Sequence, residues 1–327
     1  MTASCENYGR RPPANRLLPR GQASRVTGTR VPADTKVAAG AGRLSPLILA
    51  CLAATWFVWG STYLAIKFAL GSFPPFFQMG SRFLVAGALL MLWVRWRGHK
   101  PPTLVQWRNA TVVGALMLGG GMGGTAYAEQ TIASGLVVAF IAITPALITL
   151  VSLPFGVRPS RLEVVGIGVG MVGVFMLVRG DAFAASPAGL IAIVTGTLAW
   201  SLGSVLSQHV FPLAPSATGF SSEMLCGGAF LMVLSLVSGE SFSWPPQTLA
   251  TAAWLYLIVF GSLIAFCAYM VLLANASPAL ASSYSFVNPV IAMLLGVSLG
   301  GEIITTYEWL AAGGVALGVT VLVLARR

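Results

Sequence analysis

Two opposite charges sit inside hydrocarbon-length apolar runs: Arg82 in "FFQMGSRFLVAGALLMLW", and Glu223 141 positions later. At about 1.5 Å per residue, Arg82 lies roughly 10 Å from the start of its run. An unpaired cation at the centre of a bilayer costs about 2.5–3.5 kcal/mol on insertion scales, and such residues turn toward a bundle interior. Three roles are open to this pair. It is a latch closing across a cavity, one member binds a small ligand, or Glu223 titrates and exchanges a proton.

Other residues suit the wall of such a cavity. Trp59, Tyr63 and Lys67 follow each other at i, i+4 and i+8, which places two aromatic rings and a cation on one helical face. Lys67 stands near the end of its run, where snorkelling to the headgroups is the ordinary alternative. Tyr284 and Asn288 share a face beside Pro289. Gln78, Ser61 and Tyr127 are further hydrogen-bonding candidates. Glu129 opens the short join in "AYAEQ"; it is either an exposed loop carboxylate or a desolvated proton-exchanging group at a cavity mouth.

The elements that must position these residues follow from composition. The chain has 327 residues, 56% hydrophobic and only 9% charged, too few polar groups to cover a soluble globule. A span needs about 20 apolar residues. Ten stretches qualify: 46–68, 75–96, 108–128, 132–153, 161–179, 188–208, 217–238, 249–272, 277–299 and 304–325. The class is all-α and polytopic. The formal net charge of +10 comes largely from residues 1–44, which hold eight of the nineteen cations and little periodicity. That segment reads as a disordered basic cytosolic tail or an over-long translation start rather than a nucleic-acid surface. With the N-terminus in the cytosol, sixteen of the nineteen cations fall on the cytosolic side and only Arg179 in an outer loop. Both termini are then cytosolic.

The two halves, 45–180 and 186–327, echo each other in order. Trp59 matches Trp200, Ala86-Gly87-Ala88 matches Gly227-Gly228-Ala229, and Ala126-Tyr127 matches Ala268-Tyr269. Thr144-Pro145 matches Asn288-Pro289, and Glu163, Gly168 and Gly173 match Glu308, Gly313 and Gly318. Five spans per half is odd, so the second half enters the membrane inverted, the arrangement that allows alternating access around a central site. Pro145 and Pro289 fall mid-span and are candidate hinges, each freeing a carbonyl near the midplane; a bend that merely improves packing is the other possibility. Glycine runs such as "GALMLGGGMGG" lack the lysine and flanking strand of a phosphate loop and read as close helix contacts. Glu163 and Glu308 begin spans, where a carboxylate suits the helix dipole.

At this point "FVWGSTYLAIKFAL", "ITPALITL", "LAWSLGSVLSQ", "ASPALASSYSFVNPVIAMLLGVSLGGE" and "EWLAAGGVALGV" are in view. Together they resemble the EamA-type branch of the drug/metabolite transporter superfamily, nearest to its YedA-type inner-membrane permeases. The likeness spans roughly residues 46–326. It implies ten helices in two inverted halves, a central cavity and transport of a small organic solute, commonly export, across a bacterial inner membrane. The expected site is Arg82, Trp59, Tyr63, Lys67, Gln78, Tyr284 and Asn288 for substrate, with Glu223 and Glu129 for coupling or gating. Protons are the expected coupling ion, and the expected partners are a small-molecule substrate and lipid, with no nucleic acid. The oligomeric state is left open. No cofactor or metal is expected, because the four cysteines show no CxxC spacing. Two other classes compete: a structural or chaperone-like membrane subunit, and an intramembrane enzyme. The latter is disfavoured by only two histidines and no GxSxG or HExxH motif.

Overall fold

The computed structural model describes residues 45–132, 137, 140–177, 186–241, 244–300 and 306–325. The basic tail, Arg179, Arg326, Arg327 and the Glu308 side chain lie outside that description.

Every element among the described residues is a helix. In chain order they are α1 (Pro46–Leu70), α2 (Pro75–Trp96), α3 (104–128), α4 (Thr144–Phe155) and α5 (Arg161–Leu177). Then follow α6 (Pro187–His209), α7 (Ala217–Val237), α8 (Thr248–Asn275), a single helical turn at Pro278–Ala281 that leads into α9 (Tyr284–Gly300), and α10 (Thr306–Leu324). Of these, α1, α2, α6, α7 and α8 are long and apolar enough to cross a membrane.

Local sequence explains where the helices start. Proline in the first turn, where no N–H is needed, opens α1, α2, α4 and α6. Thr103 and Gln106 form a reciprocal capping box ahead of α3. Ser160 and Glu163 do the same at α5, at 2.9 and 3.2 Å. Glycine ends α2 and α7: Gly98 and Gly239, 141 positions apart, adopt φ of 79° and 67°, the left-handed geometry that stops a helix at low cost.

Glycine also sets how closely helices approach. A Cβ on Gly87 of α2 would lie 2.9 Å from the Met224 Cβ, and one on Gly228 of α7 would lie 2.9 Å from the Leu84 nitrogen. The same holds for α5 and α10, where a Cβ on Gly318 would stand 2.5 Å from the Gly170 nitrogen. α3 meets α6 through Gly120, Gly124 and Gly196. Bare backbone at these positions permits the dispersion contacts that hold helices together in lipid.

Two helices carry a wide i→i+5 stretch, Ala115–Gly123 in α3 and Leu257–Phe266 in α8. These occupy corresponding places in the two halves. A shorter one lies in α1 at Ala54–Val58. Such turns release backbone carbonyls, and the Gly261 oxygen of α8 accepts the Trp59 indole N–H at 3.2 Å.

The main core lies where α1, α2, α3, α6, α7 and α8 converge, around Trp59, Met79, Phe83, Trp200, Phe266 and Tyr269. Outward positions keep large apolar side chains exposed, among them Leu92, Val172, Leu236 and Leu249. That exposure would be a liability in water and suits hydrocarbon.

Candidate functional site: a central cavity walled by aromatic rings

Trp59 of α1 is held in place by its hydrogen bond to Gly261, and its ring is surrounded by others. The Tyr284 centroid lies 4.6 Å away, Tyr269 5.2 Å and Trp200 5.7 Å. Trp200 donates its indole N–H to the Tyr269 hydroxyl at 3.2 Å, and Ser204 Oγ pairs with the same hydroxyl at 2.9 Å. Both indole N–H groups are thus committed, leaving ring edges and faces for packing.

Beside these rings is a cavity of about 60 Å³. Its wall takes in Trp59, Thr62 and Tyr63 from α1, Arg82 from α2, Gly121 and Thr125 from α3, and Thr144 from α4. Thr197 and Trp200 of α6 and Tyr284 and Asn288 of α9 complete it. Among the described residues Arg82 is the only charged side chain on that wall, and it is 1% exposed. Its Cζ stands 4.5 Å from the Phe83 ring centroid, while Nε and Nη1 have no hydrogen-bond partner. Asn288 is equally buried, and neither its Nδ2 nor its Oδ1 has one. The Tyr63 hydroxyl lies toward the Asn288 side chain.

Five expected substrate residues therefore share one wall: Arg82, Trp59, Tyr63, Tyr284 and Asn288. Gln78 and Lys67 do not join them. Gln78 is fully buried, with Nε2 donating to the Ile66 carbonyl at 3.4 Å and Oε1 unmatched. Lys67 is exposed on α1. Glu129, half-buried just past α3, also lies off the wall, and its Oε2 is enclosed without a partner. The charges that act on Glu129 are those of Arg82 and Lys67.

Glu223 stands elsewhere. It is fully buried in α7, and both of its carboxylate oxygens are without partners. A Cβ on Gly114 of α3 would lie 2.8 Å from its carbonyl oxygen. No hydrogen bond or ion pair joins Arg82 to Glu223 among the described residues, and the acid whose charge acts on Arg82 is Glu129. Pro145 sits in the first turn of α4, after an interruption at Ala142–Ile143. Pro289 lies inside α9, and the break in that segment comes earlier, at Ser282–Ser283.

Sequence reasoning left Thr62, Thr125, Thr144 and Thr197 out of the site. Thr144 had a signal, since it is the repeat counterpart of Asn288. Tyr269 had one too, as the counterpart of Tyr127, yet it is Tyr269 that bonds Trp200.

A second, wider cavity of about 420 Å³ lies at one end of the bundle. Ile148 and Thr149 of α4, Arg158, Ser204 and Gln208 of α6, and Ser277 ahead of the α9 segment line it. Thr149 is about one turn beyond Thr144, and Ser204 one turn beyond Trp200. The Ser204–Tyr269–Trp200 bridge thus stands between the two cavities. The opposite end is clasped. Glu240, past α7, accepts the Phe76 and Phe77 backbone N–H groups of α2 at 3.0 and 2.8 Å. Gln247 donates its backbone N–H to Ser72 Oγ at 3.0 Å, and Phe76 stacks on Tyr127 at 5.8 Å.

The EamA-like transporter family matches this chain twice, over residues 44–179 and 187–324. The inner membrane transporter YedA of Escherichia coli strain K12 is 41% identical over 286 residues, covering 87% of this chain and 92% of its own. Protein PecM of Dickeya dadantii is 28% identical over 73% of this chain and 80% of its own. A solved crystal structure superposes with a TM-score of 0.71 at 23% identity, over 86% of this chain and 99% of the other, which is a likeness of fold. With both halves matched and the YedA likeness running nearly end to end, the chain belongs to the EamA-like transporter family.

Proposed function

We propose that the protein is a secondary transporter that carries a small organic solute through the central cavity by alternating access, coupled to protons and running outward. One observation carries this most of the way. Arg82 is a buried charge among apolar helices, faces a cavity, and has two nitrogens that no protein group satisfies. Buried guanidinium is costly without partners, so its retention on that wall fits a ligand that supplies them. The names of the relatives, transporter and inner membrane transporter, agree with this reading.

Ten spans in two inverted halves fit the same picture. The wide turns of α3 and α8, the terminal glycines of α2 and α7, and the glycine contacts of α2–α7 and α5–α10 recur at corresponding positions. On the orientation expected from Lys and Arg, the 420 Å³ cavity, on the side of Arg158, opens to the cytosol. The Glu240 clasp then closes the outer face. The arrangement is an inward-facing one in a bacterial inner membrane, with Glu223 and Glu129 as the candidate proton-binding groups.

Reconstitution tests the proposal. Proteoliposomes carrying the wild type accumulate or release a responsive solute in a pH-gradient-dependent way, and Arg82→Ala and Glu223→Gln insert normally and lose that flux. Normal transport by both variants would remove these residues from the mechanism. Absence of flux with every small solute would favour a structural membrane subunit.

A further inference from the structure

We infer that the central cavity takes a short organic acid whose carboxylate docks on the Arg82 guanidinium. The inference rests on the central cavity being the transport site and adds the chemistry of its ligand.

Charge comes first. Among the described residues Arg82 is the one charged group on the wall, and no acidic side chain shares it. An ammonium ion placed there would face a guanidinium with no carboxylate to compensate. An uncharged ligand without an acceptor would leave Arg82 Nε and Nη1 as they are, buried and unmatched. A carboxylate removes both penalties, because it is the planar acceptor that guanidinium binds best.

Size and the remaining groups narrow the ligand further. About 60 Å³ holds roughly four water-sized groups at about 15 Å³ each, so the acid is a small one of few carbons. The Trp59, Trp200 and Tyr284 rings offer surface for its carbons. Asn288, with one donor and one acceptor unused, offers a partner for a hydroxyl or carbonyl on the ligand.

Tryptophan emission of the purified full-length protein, sensitive to Trp59 and Trp200, reads the binding. Titration with lactate, propanamide and isopropylamine at constant ionic strength is expected to give a saturable response to lactate at least tenfold tighter than to the other two. Arg82→Gln loses it, and Arg82→Lys weakens it about tenfold. Equal binding of the amide or the amine, or no saturable lactate response, would each overturn the inference, even if the Arg82 variants do not fold. Lactate binding without flux in proteoliposomes would overturn the transport reading and leave the carboxylate site standing. Flux of an amine with no carboxylate binding would do the reverse.

Discussion

Tyr269 shows how much one hydroxyl holds together. It accepts from Trp200 Nε1 and pairs with Ser204 Oγ, and the residue has no exposure to solvent. Tyr269→Phe leaves the Trp200 N–H without an acceptor, which costs about 1–3 kcal/mol; a fall in the detergent melting temperature is the expected result. At this scale the sequence was informative where chemistry is rare. A cation inside an apolar run and aromatic rings at helical spacing pointed to Arg82, Trp59 and Tyr63, and the cavity wall contains all three. Threonines gave no such signal, because a hydroxyl can satisfy itself on its own helix. Thr62 and Thr197 both donate to carbonyls three or four residues back.

Among the elements, α10 provides a test within one helix. A Cβ on Gly318 would meet the Gly170 backbone at 2.5 Å, whereas Gly313 has nothing within 4 Å. Gly318→Ala must push α5 and α10 apart, at a cost on the order of 1–3 kcal/mol. Gly313→Ala gains up to about 1 kcal/mol from helix propensity. Melting temperatures of the two variants should move in opposite directions. The α2 start gives a second test: Glu240→Ala removes the carboxylate that accepts two backbone N–H groups. A loss of about 1 kcal/mol is expected, together with faster hydrogen exchange at Phe76 and Phe77. Helix extents were legible from apolar runs and from proline and capping signals. The interruption in the α4 segment was not. Pro145 suggested a bend centred on itself, but proline is most at ease in a first turn, so the chain breaks ahead of it at Ala142–Ile143. The wide turns were hidden as well, because an i→i+5 stretch depends on what the neighbouring helix presents.

For the whole molecule, the proposed topology fixes which ends face which compartment. In a background with its native cysteines replaced, Lys100→Cys should react with a membrane-impermeant maleimide only in inside-out vesicles. Trp244→Cys, exposed at the clasped end, should react only in right-side-out ones; the opposite pattern would reverse the orientation. The overall class was legible because composition alone excludes a soluble globule. Which end stands wider was not, since it depends on packing that the two halves share in type and differ in detail.

The Ser204–Tyr269–Trp200 bridge has one more consequence. Trp200 lines the central cavity and Ser204 the wide one, so a ligand that displaces the bridge in passing between them strips an indole of its hydrogen-bond partner. Indole emission responds to such a loss, so the chain contains its own optical probe of passage. A variant keeping Trp200 as the sole tryptophan would show traffic through the bundle as a change of colour, with no added label.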